Sequence, residues 1–238
     1  MTQIVIPAAD GGSFGGYLAR PATLPAPGLV LIQYICGVNQ VMRRLADHFA
    51  ALGYMVLVPD IYWRQEPDVQ LIPDPARPSP EDIQRALSLN AGIRDDLAVS
   101  DLIAAAEVLR ALPGCNGHVG ALGYCLGGRL VVPMAARGRL DAAVSYYGVN
   151  LDSYLPEAEA SDTPLLVHVA GEDDLVPAPV REALRDRLGG RKDATVVIHP
   201  GVNHAFALPS GPNYDADAAI RANSQSIAFL ARHLPVNR

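Results

Sequence analysis

An α/β fold, with a mostly parallel sheet covered by helices on both faces, is what this sequence predicts. Three observations carry the prediction. Short continuous apolar runs, such as Leu29-Val30-Leu31-Ile32 and Tyr54-Met55-Val56-Leu57-Val58, read as strands buried on both faces. Stretches with helical spacing alternate with these runs, the order expected of a parallel sheet. One further run ends in Gly123-Tyr124-Cys125-Leu126-Gly127 and continues as a helical stretch, the strand–turn–helix context that lifts a nucleophile onto a sharp turn.

Taken in order, Ile4–Ile6 and Ser13–Ala19 flank Asp10-Gly11-Gly12, a hairpin signal for two opening strands. Pro21 to Gly28 is a turn-rich connector into the buried strand at Leu29–Ile32. Tyr34 to Asn39 leaves that strand as a loop, and Val41–Leu52 follows as a helix stopped by Gly53. Tyr54–Val58 is the next buried strand. Ile61–Pro80, with five prolines and Trp63, is the longest irregular stretch, and such a loop in a compact domain is usually a lid or binding loop. Pro80–Leu89 and Arg94–Leu112 read as helices, the second with Leu97, Leu102, Ala105, Leu109 and Leu112 near helical spacing. Gly117–Leu122 is the strand before the sharp turn and Arg129–Arg137 the helix after it. Asp141–Tyr147, Pro164–Ala170 and Ala194–His199 are strands, Val180–Leu188 and Asp215–Leu234 helices.

Composition narrows the function. The chain has 238 residues, half of them apolar, enough for one domain over 1–238 with a sizeable core. A net charge of −6 argues against nucleic-acid binding, which wants a clustered basic face. No apolar run approaches the roughly 20 residues that cross a bilayer. The N-terminus has neither a basic n-region nor an apolar h-region, so a cytoplasmic protein without a signal peptide is expected. Cys36, Cys115 and Cys125 then read as free thiols in a reducing compartment, and they lack metal-ligand spacing. No metal or other cofactor is expected.

The chemistry gathers at strand ends. Cys125 would sit at a helix N-terminus, where free N–H groups and the helix dipole favour a thiolate. Gly123 and Gly127 would let the neighbouring backbone close in on the turn. The pair Asp173-Asp174 follows one later strand and His204 another. Active sites in such sheets lie beyond the C-terminal strand ends, and the order nucleophile, acid, histidine is that of the α/β-hydrolases. The other histidines, His48, His118, His168, His199 and His233, have no such support and read as structural.

These segments together resemble the dienelactone hydrolase (carboxymethylenebutenolidase) family, a Cys-His-Asp branch of the α/β-hydrolases. The resemblance rests on Gly37-Val38-Asn39, Pro59-Asp60-Ile61-Tyr62, Gly123-Tyr124-Cys125-Leu126-Gly127-Gly128, Tyr146-Tyr147-Gly148-Val149, Val176-Pro177-Ala178-Pro179 and His204-Ala205-Phe206-Ala207, spread over nearly the whole chain. It implies Cys125 as nucleophile, His204 as base and an aspartate behind it. Counting from Val176-Pro177 gives Asp173; counting from Gly171 gives Asp174 as the alternative. The backbone N–H groups of Leu126 and Ile35 would form the oxyanion hole. Tyr34, Cys36, Tyr146, Phe206 and Leu208 are the candidate substrate contacts.

Two positions depart from the family pattern. Tyr34 stands where the family has a glutamate that pairs with the cysteine, and a neutral phenol is a donor rather than a carboxylate base. Leu208 stands where the family has a substrate-binding arginine, and Arg85 lies near the family's other arginine without a clear alignment. A more neutral, apolar ester is therefore expected than a carboxylate-bearing lactone. The expectation is a cysteine-dependent hydrolase of small-molecule ester or lactone bonds, monomeric or homodimeric. The alternatives are promiscuous hydrolysis of activated neutral esters or phosphotriesters, and a binding protein on a hydrolase scaffold.

Overall fold

The opening hairpin forms around its predicted turn. β1 (Thr2–Pro7) and β2 (Ser13–Ala19) pair antiparallel, with Gly11 and Gly12 between them at φ +101° and +81°. The chain then alternates through β3 (Ala26–Ile32), α1 (Gln40–Ala51), β4 (Met55–Pro59), α2 (Pro80–Ala91), α3 (Asp95–Ala111), β5 (Cys115–Tyr124), α4 (Leu126–Arg137) and β6 (Ala142–Tyr146). It finishes through α5 (Leu155–Ala160), β7 (Leu165–Ala170), α6 (Ala178–Leu188), β8 (Ala194–His199) and α7 (Ala216–His233). The computed structural model describes residues 2–72 and 74–236, and across them the strands form one sheet ordered β1-β2-β4-β3-β5-β6-β7-β8. β2 meets β4 antiparallel, and every pairing from β4 to β8 is parallel.

The apolar runs are buried on both faces for the reason their composition suggests. Alternate side chains point to opposite sides of the sheet. Val30, Ile32, Met55, Leu57 and Ala121 pack on one side with Leu102, Leu109, Leu130 and Met134 from α3 and α4. Leu29, Leu31, Val56, Val58 and Leu122 pack on the other with Met42, Phe49, Ala222 and Leu230 from α1 and α7. Two layers of helices thus hold the central strand ends rigid, and those ends carry the chemistry.

Several boundaries differ from expectation. β3 begins at Ala26, inside the predicted connector, and β5 runs on to Tyr124. The segment between β6 and β7 folds as a 3-10 turn, Leu151–Tyr154, followed by the short α5. The expected loop over Ile61–Pro80 is present, with Pro73 outside the described residues. Its first half is tied down: Asp60 accepts from the N–H groups of Tyr62 (3.0 Å) and Asp68 (2.7 Å). Its second half joins the β3–α1 loop through Leu71 N–H to the Cys36 carbonyl (2.9 Å) and Val38 N–H to the Val69 carbonyl (3.1 Å). Among the described residues no helix is long and apolar enough to cross a membrane.

Candidate active site

Cys125 is the link between β5 and α4, at φ +53° and ψ −109°. A side chain in that region is strained by about 1–3 kcal/mol, and it persists where the surroundings over-determine it. Here they do: Cys125 N–H donates to the Tyr146 carbonyl (3.0 Å), and its own carbonyl accepts from Arg129 N–H (2.9 Å). The glycines allow the turn to close. A Cβ on Gly123 would strike the Gly127 backbone, and one on Gly127 would strike the Ile32 carbonyl.

Gly127→Ala is therefore expected to destabilise by about 3 kcal/mol or more, since the obstruction is backbone from a central strand. Gly190, whose added Cβ would meet open space, is the control, and its alanine variant should stay within about 0.5 kcal/mol of wild type. Urea midpoints measure both. Equal midpoints for the two variants would refute the close-packing account of the turn.

His204 lies in the loop after β8, and its Nδ1 faces both carboxylate oxygens of Asp173 at 3.0 and 3.2 Å. Asp173 is fully buried and its Oδ1 also accepts from Leu175 N–H (2.9 Å), which fixes the carboxylate. Asp174 faces elsewhere. Asn203 Nδ2 donates to its carboxylate (2.6 Å), while Asn203 Oδ1 accepts from the N–H groups of Asp174 (3.1 Å) and His204 (2.6 Å). Of the two aspartates, Asp173 is the one against the imidazole, and Asp174 staples the two loops together.

Burial disfavours the charged form of His204. The hydrogen bond to Asp173 and the nearby Cys125 sulfur outweigh that penalty and push its pKa up to about 10. Its Nε2 is buried without a hydrogen bond of acceptable geometry, and Cys125 is among the groups that favour the charged ring. Such contacts are often loose in an empty site and tighten around a substrate.

Cys125 and His204 open into a cavity of about 230 Å³ whose wall is nearly all apolar. Tyr34, Ile35 and Cys36 line it from the loop after β3, Ile72, Pro75 and Pro78 from the long loop, Ile83 from α2, and Leu208 from the loop after β8. No Lys, Arg, Asp or Glu side chain lines it among the described residues, and its one charged group is the His204 imidazolium. Arg85, on the same helix as Ile83, is exposed and paired with Glu66. A hollow at Arg43, Asp60 and Asp68 and a larger one at Arg44 and His48 are more polar but hold none of these reactive groups. Ile35 borders the cavity, and Leu126 opens α4, where the first N–H groups of a helix lack intrahelical acceptors.

Tyr34 and Cys36, two of the candidate contacts, line the cavity wall. The Tyr34 oxygen accepts from Asn39 Nδ2 (2.7 Å), and its phenol O–H faces the Cys36 sulfur. Asn39 also donates to the Leu71 carbonyl (2.8 Å) and caps α1 by accepting from Met42 N–H (3.2 Å). Burial, then the neighbouring Cys36, raises the Tyr34 pKa, so the phenol stays neutral. Burial likewise pushes the Cys36 thiol up to about 12.

Tyr146 and Phe206 are corrections. The Tyr146 side chain lies beneath α7, bonded to Asn223 Oδ1 (2.9 Å) and Ser226 Oγ (2.7 Å), and does not reach the cavity. Phe206 is wholly buried behind the wall, packed on His199 and Tyr147. The strand ends between Tyr146 and Tyr147, and the turn there delivers the second tyrosine to the wall instead. Sequence reasoning missed Tyr147, although it adjoins a chosen residue just past a strand end. His168 and His199 form a buried pair (3.0 Å), and burial with the neighbouring His199 drives the His168 pKa down to about 3, which keeps it neutral. Among the described residues no group of His, Cys, Asp and Glu side chains is placed to hold a metal ion.

Residues 14–234 match the model of the dienelactone hydrolase family. A provisionally named carboxymethylenebutenolidase of Azospirillum brasilense is 43% identical over 98% of this chain and 100% of its own. The carboxymethylenebutenolidase of Pseudomonas putida is 38% identical over 96% of this chain and 95% of its own. Among solved structures, a provisionally named dienelactone hydrolase from Klebsiella pneumoniae subsp. pneumoniae superposes with a TM-score of 0.79 at 26% identity, covering 98% of this chain and 100% of its own.

Proposed function

The chain belongs to the dienelactone hydrolase family, and on that premise we propose that it hydrolyses neutral, apolar esters or lactones through Cys125, His204 and Asp173. The observation that carries this reading is the placing of Cys125 and His204 on one apolar cavity with Asp173 behind the imidazole.

In the proposed reaction the Cys125 thiolate attacks the substrate carbonyl. The N–H groups of Leu126 and Ile35 hold the oxygen that gains negative charge. When the tetrahedral adduct collapses, the C–O bond breaks and its electron pair stays on the leaving oxygen. His204 Nε2 protonates that oxygen, and the neutral imidazole then takes a proton from the water that attacks the thioester. Collapse of this second adduct breaks the C–S bond, releases the acid and returns the Cys125 thiolate beside the imidazolium. Asp173 holds the ring through Nδ1, which presents Nε2 to the reaction. A lactone keeps its leaving group attached and gives a single product.

The wall decides the substrate class. A carboxylate in this cavity would meet phenol O–H groups but no guanidinium, and the one cation there, the His204 imidazolium, is already paired with Asp173, so the charge-assisted contact that makes burial of a carboxylate affordable is lost. Tyr34 keeps its proton, and in this reading its O–H turns from the Cys36 sulfur to an acceptor oxygen of the acyl part.

Thiol labelling tests the assignment. Iodoacetamide should modify Cys125 at least about tenfold faster than Cys36 or Cys115, because a thiolate is the reactive form. Prior incubation with p-nitrophenyl acetate should block that labelling and leave an acetyl group on Cys125 in the quenched protein. Labelling of Cys36 first, or no protection by the ester, would overturn the nucleophile assignment.

A further inference from the structure

Tyr147 has three features that the reaction above leaves unused. Its φ is +38°, a left-handed value that a tyrosine adopts only under constraint. Its ring is locked edge-on against His204 and Phe206, with centroids 5.1 and 5.5 Å away, and lies 6.1 Å from Tyr124. Its hydroxyl is buried without a hydrogen-bond partner, although the residue lines the same cavity as Cys125 and His204. An unpaired buried hydroxyl and a left-handed backbone each weaken the fold. A site that keeps both has a use for where the oxygen sits.

We infer that the Tyr147 hydroxyl donates a hydrogen bond to the leaving-group oxygen of the substrate, beside His204, as the C–O bond breaks. The inference rests on the Cys125–His204 reaction proposed above. Sheet order gives the side. Ile35 follows β3, Cys125 follows β5, Tyr147 follows β6 and His204 follows β8, in a sheet ordered β3-β5-β6-β7-β8. The proposed oxyanion donor at Ile35 therefore lies on one side of the sulfur, and Tyr147 lies on the other, against the imidazole that must face the leaving oxygen.

The chemistry is that of a donor only. Burial raises the Tyr147 pKa well above its usual value, so the phenol keeps its proton. The proton that ends on the leaving oxygen comes from His204, and the carbonyl re-forms as the C–O electron pair departs. The Tyr147 O–H stabilises charge on that oxygen during the transfer and is regenerated unchanged. In an apolar, water-poor cavity such a bond is stronger than in solvent. Its value grows with the charge that the oxygen carries, so poor leaving groups depend on it most.

Tyr147→Phe keeps the ring packing and removes one oxygen. We would measure kcat/KM, which reports the acylation half, on phenyl acetate and on p-nitrophenyl acetate, which share an acyl group and differ in leaving-group acidity. The variant should lose at least about tenfold on phenyl acetate and less than about threefold on p-nitrophenyl acetate. Its thermal midpoint should equal or exceed that of wild type, because the orphaned hydroxyl is gone. Equal losses on both esters would mean a packing or general binding role and would overturn the inference, as would no loss on either. Cys125→Ala run on the same pair separates the two proposals. If it keeps its activity, the nucleophile reading fails and the Tyr147 role falls with it. If it is inactive and Tyr147→Phe shows no selectivity, only the Tyr147 role fails.

Discussion

Cys125→Ala is expected to lower kcat/KM on p-nitrophenyl acetate by at least about 10,000-fold, leaving only what the oxyanion donors and binding supply. No other thiol or hydroxyl in the cavity can replace the sulfur, and the imidazole is held protonated beside Asp173. Cys36 sits on the same wall, but burial holds its pKa near 12, so it carries almost no thiolate at neutral pH. Tyr34 and Tyr147 are both held neutral by burial. The loss should come without unfolding, because alanine accepts the φ of +53° no worse than cysteine. Cys125→Gly sharpens the point. Relief of left-handed strain is worth about 1–3 kcal/mol, against about 0.5–1 kcal/mol for the added freedom of glycine in the unfolded chain. The glycine variant should thus be equally inactive yet more stable than the alanine variant, by about 1 kcal/mol, in urea titrations. Activity within a few-fold of wild type in either variant would remove Cys125 from the reaction.

The parts of the fold legible in the sequence are those where one local signal has one physical meaning. Leu29–Ile32 and Met55–Val58 are apolar at every position, and a strand covered on both faces has that composition. Gly123 and Gly127 flank Cys125 because the turn needs backbone contact, and the glycine spacing states that need directly. What escaped depends on several segments at once. α5 is six residues long with a proline in its first turn, too short for a helical period to register. Tyr146 and Tyr147 are adjacent and chemically alike; which one reaches the cavity depends on the strand ending between them and on a backbone turn to φ +38°. Asp173 and Asp174 are told apart by distant partners, His204 for the first and Asn203 for the second, the latter 29 positions from Asp174 in sequence. The long loop carried a signal for a binding loop, but its part in the wall at Ile72, Pro75 and Pro78 required the fold.

Asp173→Asn is expected to lower kcat/KM by roughly 100- to 10,000-fold and to move the alkaline limb of its pH profile toward neutrality. The direction follows from what sets the imidazole pKa. Burial alone would lower it; the bond to Asp173 is the largest opposing effect, with Cys125 next, and together they hold it near 10. In the proposed mechanism acylation needs the imidazolium as proton donor, so wild-type kcat/KM should hold until pH nears 10 and then fall. An asparagine keeps the shape but removes the charge, and the fall should begin at lower pH. Stability should follow the same logic. A histidine whose folded pKa lies above its unfolded value of about 6.5 contributes stability that is complete below that pH and is lost as pH rises through the folded pKa. Wild type should therefore lose part of its unfolding free energy between pH 6.5 and 10, and the asparagine variant should show a shallower slope over that window. Urea midpoints across that range, alongside the pH–rate profile, measure both effects. An alkaline limb that stays in place in the variant would mean that Asp173 does not set the protonation of His204, however close the two side chains lie.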